Sequence, residues 1–235
     1  MKDNGSSTKK TIIYSPSVTG CMAVYDFLMD SLREKAFRNG NRNSFRDRLI
    51  QVYYADVGPS TKRYIQNDFP LKDSVTRILI ATTAFGVGVD IPDVSRVVHW
   101  GISRNALCYW QEVGRAGRNG EQAEGYLYVV PKLFSCKGTD PNFITKMKEL
   151  GGLKVRERGK ARTRGTQTED AKCANVTTDE EEEVIKGCLR RTILEELVVP
   201  PMKQLQTLEE LRCTGLKDNC PLGRCCTLCQ ERCSC

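Results

Sequence analysis

The stretch Ile78-Leu79-Ile80-Ala81-Thr82-Thr83-Ala84-Phe85-Gly86-Val87-Gly88-Val89-Asp90-Ile91-Pro92 reads as a buried strand running straight into a turn of small residues that ends in a carboxylate. In parallel α/β sheets ligands gather beyond the carboxyl ends of the strands. There Thr82 and Thr83 offer hydroxyls, while Gly86 and Gly88 offer exposed backbone amides. Working outward, Thr11 to Tyr14 reads as another short buried strand, followed by a helix whose apolar positions Val24, Phe27, Leu28 and Leu32 share one face. The alternation continues with strand 49–54, helix 62–69, strand 77–82, strand 96–100, helix 105–113 and strand 126–130. Such an order predicts an α/β fold, a parallel sheet with helices on both faces. The polar stretch from Asn39 to Asp47 reads as a loop.

Composition sets the outer limits. The 235 residues are 40% hydrophobic and 28% charged, enough for one sizeable core and a small appendage. A net charge of +7 favours an anionic partner without naming nucleic acid. There is no long apolar run and no hydrophobic stretch near Met1 that would serve as a signal peptide, so no membrane partner and an intracellular, soluble protein are expected. In a reducing compartment twelve cysteines, seven of them between Cys213 and Cys235, read as metal ligation rather than disulfides.

A second stretch, Tyr109-Trp110-Gln111-Glu112-Val113-Gly114-Arg115-Ala116-Gly117-Arg118-Asn119-Gly120, sets two arginines three apart at the end of a helix among three glycines. Arginine suits phosphate because its planar, permanently charged guanidinium can bind two oxygens at once, and glycines let a ligand approach the backbone. Further on, apolar periodicity disappears over 151–178, where basic residues predict a mobile linker. Thr178 then reads as an N-cap, with Ile185, Leu189, Ile193 and Leu197 along the helix that follows.

Taken in this order, the two long stretches resemble motifs V and VI of superfamily 2 helicases, and Thr11 to Ser17 resembles the strand that opens the second RecA-like domain of those enzymes. The resemblance covers roughly residues 8 to 135. Gln111-Glu112 before the Gly-Arg run, Ala84-Phe85-Gly86-Val87-Gly88 and Val97-Val98-His99-Trp100 are similar to the RecQ branch, which consists of ATP-dependent 3′-to-5′ DNA helicases. Tyr53-Tyr54-Ala55 departs from that branch, where Tyr-His-Ala is common. The resemblance implies that Arg118 reaches the γ-phosphate of ATP, with Arg115 beside it and Gln111 coupling the cleft to DNA. It further implies that Asp90 approaches the ribose or organises motif V, and that Thr82 contacts a DNA phosphate. No Gly-x-x-x-x-Gly-Lys-Ser/Thr occurs in the 235 residues, so the groups that hold the phosphates and Mg2+ are expected from an N-terminal RecA-like partner domain, and this chain alone is expected to be inactive.

RecQ proteins carry a zinc module after this domain. Cys188-Leu189-Arg190-Arg191 and Cys226-Thr227-Leu228-Cys229 resemble its two ends, giving Cys188, Cys226 and Cys229 as Zn2+ ligands, with Cys220 preferred over Cys225 as the fourth. Cys21, Cys108, Cys136 and Cys173 read as buried or incidental thiols, and His99 as a residue packed beside its strand. The expected organisation is a flexible terminus at 1–8, a RecA-like domain at 9–150, a basic linker at 151–178 and a small helical cysteine-rich module at 179–235. A nuclear protein acting in repair or recombination is expected by the same resemblance. The alternatives are a non-catalytic module that binds DNA or another helicase, and half of an RNA helicase.

Overall fold

The computed structural model describes residues 5–40, 42, 44–85, 90–128, 138–150, 193 and 197. The linker at 151–178, the four candidate zinc ligands, Cys136, Cys173, Gly86 and Gly88 lie outside these residues. The chain enters a sheet as β1 (Lys10–Tyr14), continues as α1 (Val18–Leu32) and returns as β2 (Ile50–Tyr53). Next come α2 (Pro59–Asp68), β3 (Ile78–Ala81), β4 (Val94–Trp100), α3 (Ala106–Val113) and β5 (Glu124–Tyr128). The strands lie in the order β2-β3-β1-β4-β5, and every neighbouring pair is parallel.

Strand register decides what meets at the carboxyl edge. Tyr14 pairs with Ala81 on one side and His99 on the other, Ala81 also pairs with Tyr53, and His99 with Leu127. Residues at one level of a parallel sheet point to the same face, so Tyr53, Ala81, Tyr14 and His99 form a row. Beneath it Ile12, Leu79 and Val97 pack with Ile65 and Phe69 at the α2 end of the core, and with Phe85, Ile91 and Val94. On the other face Ile13, Ile50, Val52, Ile78 and Ile80 meet Cys21, Val24, Leu28 and Leu32 of α1. Helices on both faces of a parallel sheet are what the alternation predicts.

The differences from the sequence reading are local. Phe27 is 69% exposed rather than on the buried face of α1, which Tyr25 and Met29 share with Val24 and Leu28 instead. At about 100° per residue, Phe27 falls well outside the stripe drawn by positions 21, 25, 28 and 32. α2 begins three residues before the expected start, with Pro59 in its first turn, a position that needs no amide hydrogen. The stretch expected as a loop is partly regular: Arg38–Gly40 and Phe45–Asp47 are 3-10 turns, and Phe37 bridges Arg48. β5 (Glu124–Tyr128) begins two residues before the expected 126, and positions 129 and 130 lie outside the described residues.

Contacts divide the chain into two units after Gly138. In the second, α4 (Pro141–Leu150) buries Phe143, Met147 and Leu150, spaced to share one helical stripe. Ile193 and Leu197, which the periodicity puts four apart on a helix, are both helical, and Ile193 is buried. No helix among the described residues is long and apolar enough to cross a membrane.

Candidate nucleotide and nucleic-acid site

α3 starts at Asn105, whose side-chain oxygen accepts from the Cys108 amide at 2.8 Å. It ends where the Gly114 amide donates to the Trp110 carbonyl at 2.9 Å. From there the arginine run is held by backbone bonds. Gly117 donates to the Val94 carbonyl at 2.9 Å and Asn119 to that of Pro92 at 3.1 Å, pinning the run against the entry to β4. Gly117 has φ +74°, and a Cβ there would lie 3.0 Å from the Glu121 carbonyl oxygen, so glycine is demanded by both conformation and space.

This clamp brings one candidate residue from each long stretch together, Arg118 and Asp90. Arg118 Nη1 lies 2.7 Å from Asp90 Oδ1, and both side chains face solvent. Arg115 hydrogen-bonds the Tyr14 hydroxyl, which itself donates to the Phe85 carbonyl at 3.3 Å. Burial pushes the Tyr14 hydroxyl above its ordinary pKa; Glu112 adds to that rise, and Arg115 and Arg118 oppose it. Arg115 and Ala116 continue the end of α3 as turns, and Ala116 packs on the core while Arg118 stays outside. Gln111 is exposed on α3, as is Trp110.

Thr82 caps the other end of β3. Its amide donates to the Tyr53 carbonyl at 3.2 Å, its hydroxyl accepts from the Ala84 amide at 3.4 Å, and its carbonyl accepts from the Phe85 amide at 3.1 Å. Phe85 anchors the turn, with its ring 5.0 Å from Tyr53 and 6.3 Å from Phe69, which leaves Thr82 and Thr83 partly exposed at the carboxyl edge. Both residues thus remain within reach of solvent.

Glu112 and the residues around it carry a role that the sequence did not disclose. The Glu112 carboxylate, 7% exposed, accepts from the Ser103 hydroxyl at 2.6 Å and pairs with His99 Nε2 at 3.0 Å. His99 packs beside its strand as expected, between the rings of Tyr14 at 5.6 Å and Tyr109 at 4.6 Å. The carboxylate therefore ties the end of β4 and the turn after it to the helix that ends in the arginines. Its signal in the sequence was a carboxylate on the inward face of an otherwise apolar helix. Lys10 was also missed: buried at the start of β1, it donates to Asp93 at 2.8 Å and to the Leu71 carbonyl at 2.5 Å. Burial lowers its pKa, and Asp93 partly restores it.

A sheet that ends in a small-residue turn beside two clamped arginines defines the class: an α/β domain built to meet phosphate. Residues 4–120 match the helicase conserved C-terminal domain, and RecQ-type DNA helicases are among the relatives that the chain resembles. It is 40% identical to the ATP-dependent helicase wrn-1 of Caenorhabditis elegans over 80 residues, 34% of this chain and 7% of that protein. It is 29% identical to the ATP-dependent DNA helicase Q5 of Rattus norvegicus over 164 residues, 70% of this chain and 15% of that protein. The helicase Lhr of Mycobacterium smegmatis, solved with ssDNA and AMP-PNP, superposes with a TM-score of 0.45 at 21% identity, covering 55% of this chain and 16% of that one. The chain thus spans a minor part of the length of the relatives it matches.

Proposed function

We propose that this chain supplies the second half of the ATP site of a RecQ-like 3′-to-5′ DNA helicase, with Arg118 on the γ-phosphate, Arg115 beside it and Gln111 relaying closure toward DNA. The observation that carries this reading is the backbone clamp at Gly117 and Asn119, which holds Arg118 at 2.7 Å from Asp90. Hydrolysis moves the γ-phosphoryl group from ADP to water through a transition state whose charge spreads over the phosphoryl oxygens. A guanidinium brought across a closing cleft stabilises that charge at the moment it develops. Asp90 holds the guanidinium in the open state, and phosphate competes with it in the closed one. On this reading Thr82 and Thr83 contact the phosphates of the tracked strand, and Gly86 and Gly88 offer backbone amides to the nucleotide.

ATP supplies the reacting bond and Mg2+ screens its phosphates, both held by the other RecA-like domain. The decisive experiment measures DNA-stimulated ATP hydrolysis by the chain alone and by the chain joined to such a domain. Activity only in the joined form, lost by a factor of about 10³ or more in Arg118→Ala, is expected. A joined form that is silent, or indifferent to Arg118, moves the non-catalytic binding reading ahead. Stimulation by RNA instead of DNA selects the RNA helicase reading.

On the same reading Cys188, Cys220, Cys226 and Cys229 hold a structural Zn2+, whose thiolate ligands match a borderline-soft ion. Thiol-specific release of one zinc per chain, reduced in Cys226→Ser, is the expected result. Retention of full zinc in that variant would remove Cys226 from the set.

A further inference from the structure

The segment between α1 and β2 carries charge and rings that the arginine site leaves unused. Arg33, Lys35, Arg38, Arg42, Arg46 and Arg48 are opposed there only by Glu34 and Asp47. The segment is built rather than slack. Ala36 and Phe37 are buried, the Leu49 amide donates to the Ala36 carbonyl at 2.9 Å, and the Ser44 hydroxyl accepts from the Arg46 amide at 3.2 Å. The turn at Phe45–Asp47 lifts Phe45 to the surface, 36% exposed, with its ring edge to face against Tyr64 of α2 at 5.5 Å. The Arg48 guanidinium lies 5.4 Å from the Phe45 ring centre and is tethered to the Tyr25 hydroxyl at 3.2 Å. Tyr64 donates to the Arg46 carbonyl at 3.1 Å, and both Arg46 and Arg38 come near enough to counter the burial that raises its hydroxyl pKa. Arg38 pairs with Asp47 at 3.0 Å, which offsets one of the two nearby anions, while Arg46 is exposed.

We propose that Phe45, Arg38 and Arg46 form a second contact for single-stranded nucleic acid, in which a base stacks on Phe45 and the arginines take the flanking phosphates. The inference rests on the reading of this chain as part of a nucleic-acid motor. Single-stranded binding sites combine a basic track with a ring on which any base can stack, and a duplex would keep its base faces hidden. An acidic peptide would use the arginines and leave the ring without a partner. The placement also fits. Gln51, at the entry to β2, donates to the Phe45 carbonyl at 3.1 Å, whereas Thr82 bonds to Tyr53 at the exit. Phe45 is thus held at the first half of β2 and Thr82 at its carboxyl end, along one edge strand of the sheet.

The test is binding of the full chain to fluorescein-labelled oligothymidylate across a salt series, with a 2-aminopurine oligonucleotide to report stacking. Phe45→Ala is expected to weaken binding about tenfold and to remove the aminopurine quenching, Phe45→Trp to keep both, and Arg46→Ala to reduce the slope of log K against log salt by about 0.7. If Phe45→Ala unfolds, Phe45→Leu, which keeps apolar bulk against Tyr64 without a flat ring, gives the same comparison. Variants at Phe45 and Arg46 that bind as the parent does, while Thr82→Ala binds weakly, overturn the second contact and leave the motor reading standing. A parent chain that binds no oligonucleotide even at low salt overturns both. Equal competition by polyglutamate that depends on Phe45 assigns the patch to an acidic protein and overturns the proposal.

Discussion

Removing the Glu112 carboxylate strands two buried groups at once, the Ser103 hydroxyl and His99 Nε2. Glu112→Ala should cost about 2–4 kcal/mol of stability, because each buried partner then pays desolvation without return. Urea unfolding checks this, and Glu112→Gln should lose less, since an amide can still accept from Ser103. Gly117→Ala should cost about 1–3 kcal/mol through its left-handed backbone and the crowded carbonyl of Glu121. Equal stability to the parent would mean that the clamp yields easily and does not fix Arg118. Burial raises the Cys21 thiol from 9.0 to about 11. The unfolded chain releases that proton first, so this thiol lowers stability as pH climbs from 9.0 toward about 11. In the native protein at pH 8, iodoacetamide should modify the partly exposed Cys108 ahead of Cys21, as peptide mass mapping would show.

At the scale of elements, β1 and β3 were legible because both are short apolar runs, and α3 because Asn105 caps it and glycine ends it. The arginine run stood out as a candidate phosphate contact only together with the stretch that follows β3, and the fold brings Arg118 of the one to Asp90 of the other. What stayed hidden depended on partners far along the chain. Phe27 was placed inward because a stripe drawn on a few apolar positions tolerates one outlier, whereas the packed helix does not. The segment after α1 looked like solvated chain, since its order comes from the bridge of Phe37 to Arg48 and from Tyr64 on α2, neither visible in a local window. Lys10 belonged to a strand pattern and showed no sign of its partner Asp93, 83 positions on. Asp93→Ala should therefore destabilise by about 3–5 kcal/mol, leaving the Lys10 charge buried without its paired carboxylate. A shift in melting temperature no larger than that of an exposed Asp variant such as Asp26→Ala would show that Lys10 finds water instead.

For the whole molecule, the sheet order explains why residues from four separate stretches share one edge. The connection from β3 to β4 passes across β1, so the turn that follows β3 and the arginines that follow α3 both come to rest beside Tyr14. The same arrangement has a consequence for biosynthesis. Thr11 pairs with Ile78 and Ile12 with Val97, so the strand of this sheet that is made before its other four sits at the centre, with neighbours made 67 and 85 residues later. At ordinary ribosomal speeds that is a wait of roughly 3–13 s before even the nearer neighbour is made. During that interval the sticky Ile12-Ile13 pair is open to any passing strand or chaperone, and a ribosome stalled before β3 would release a product with an unprotected apolar edge.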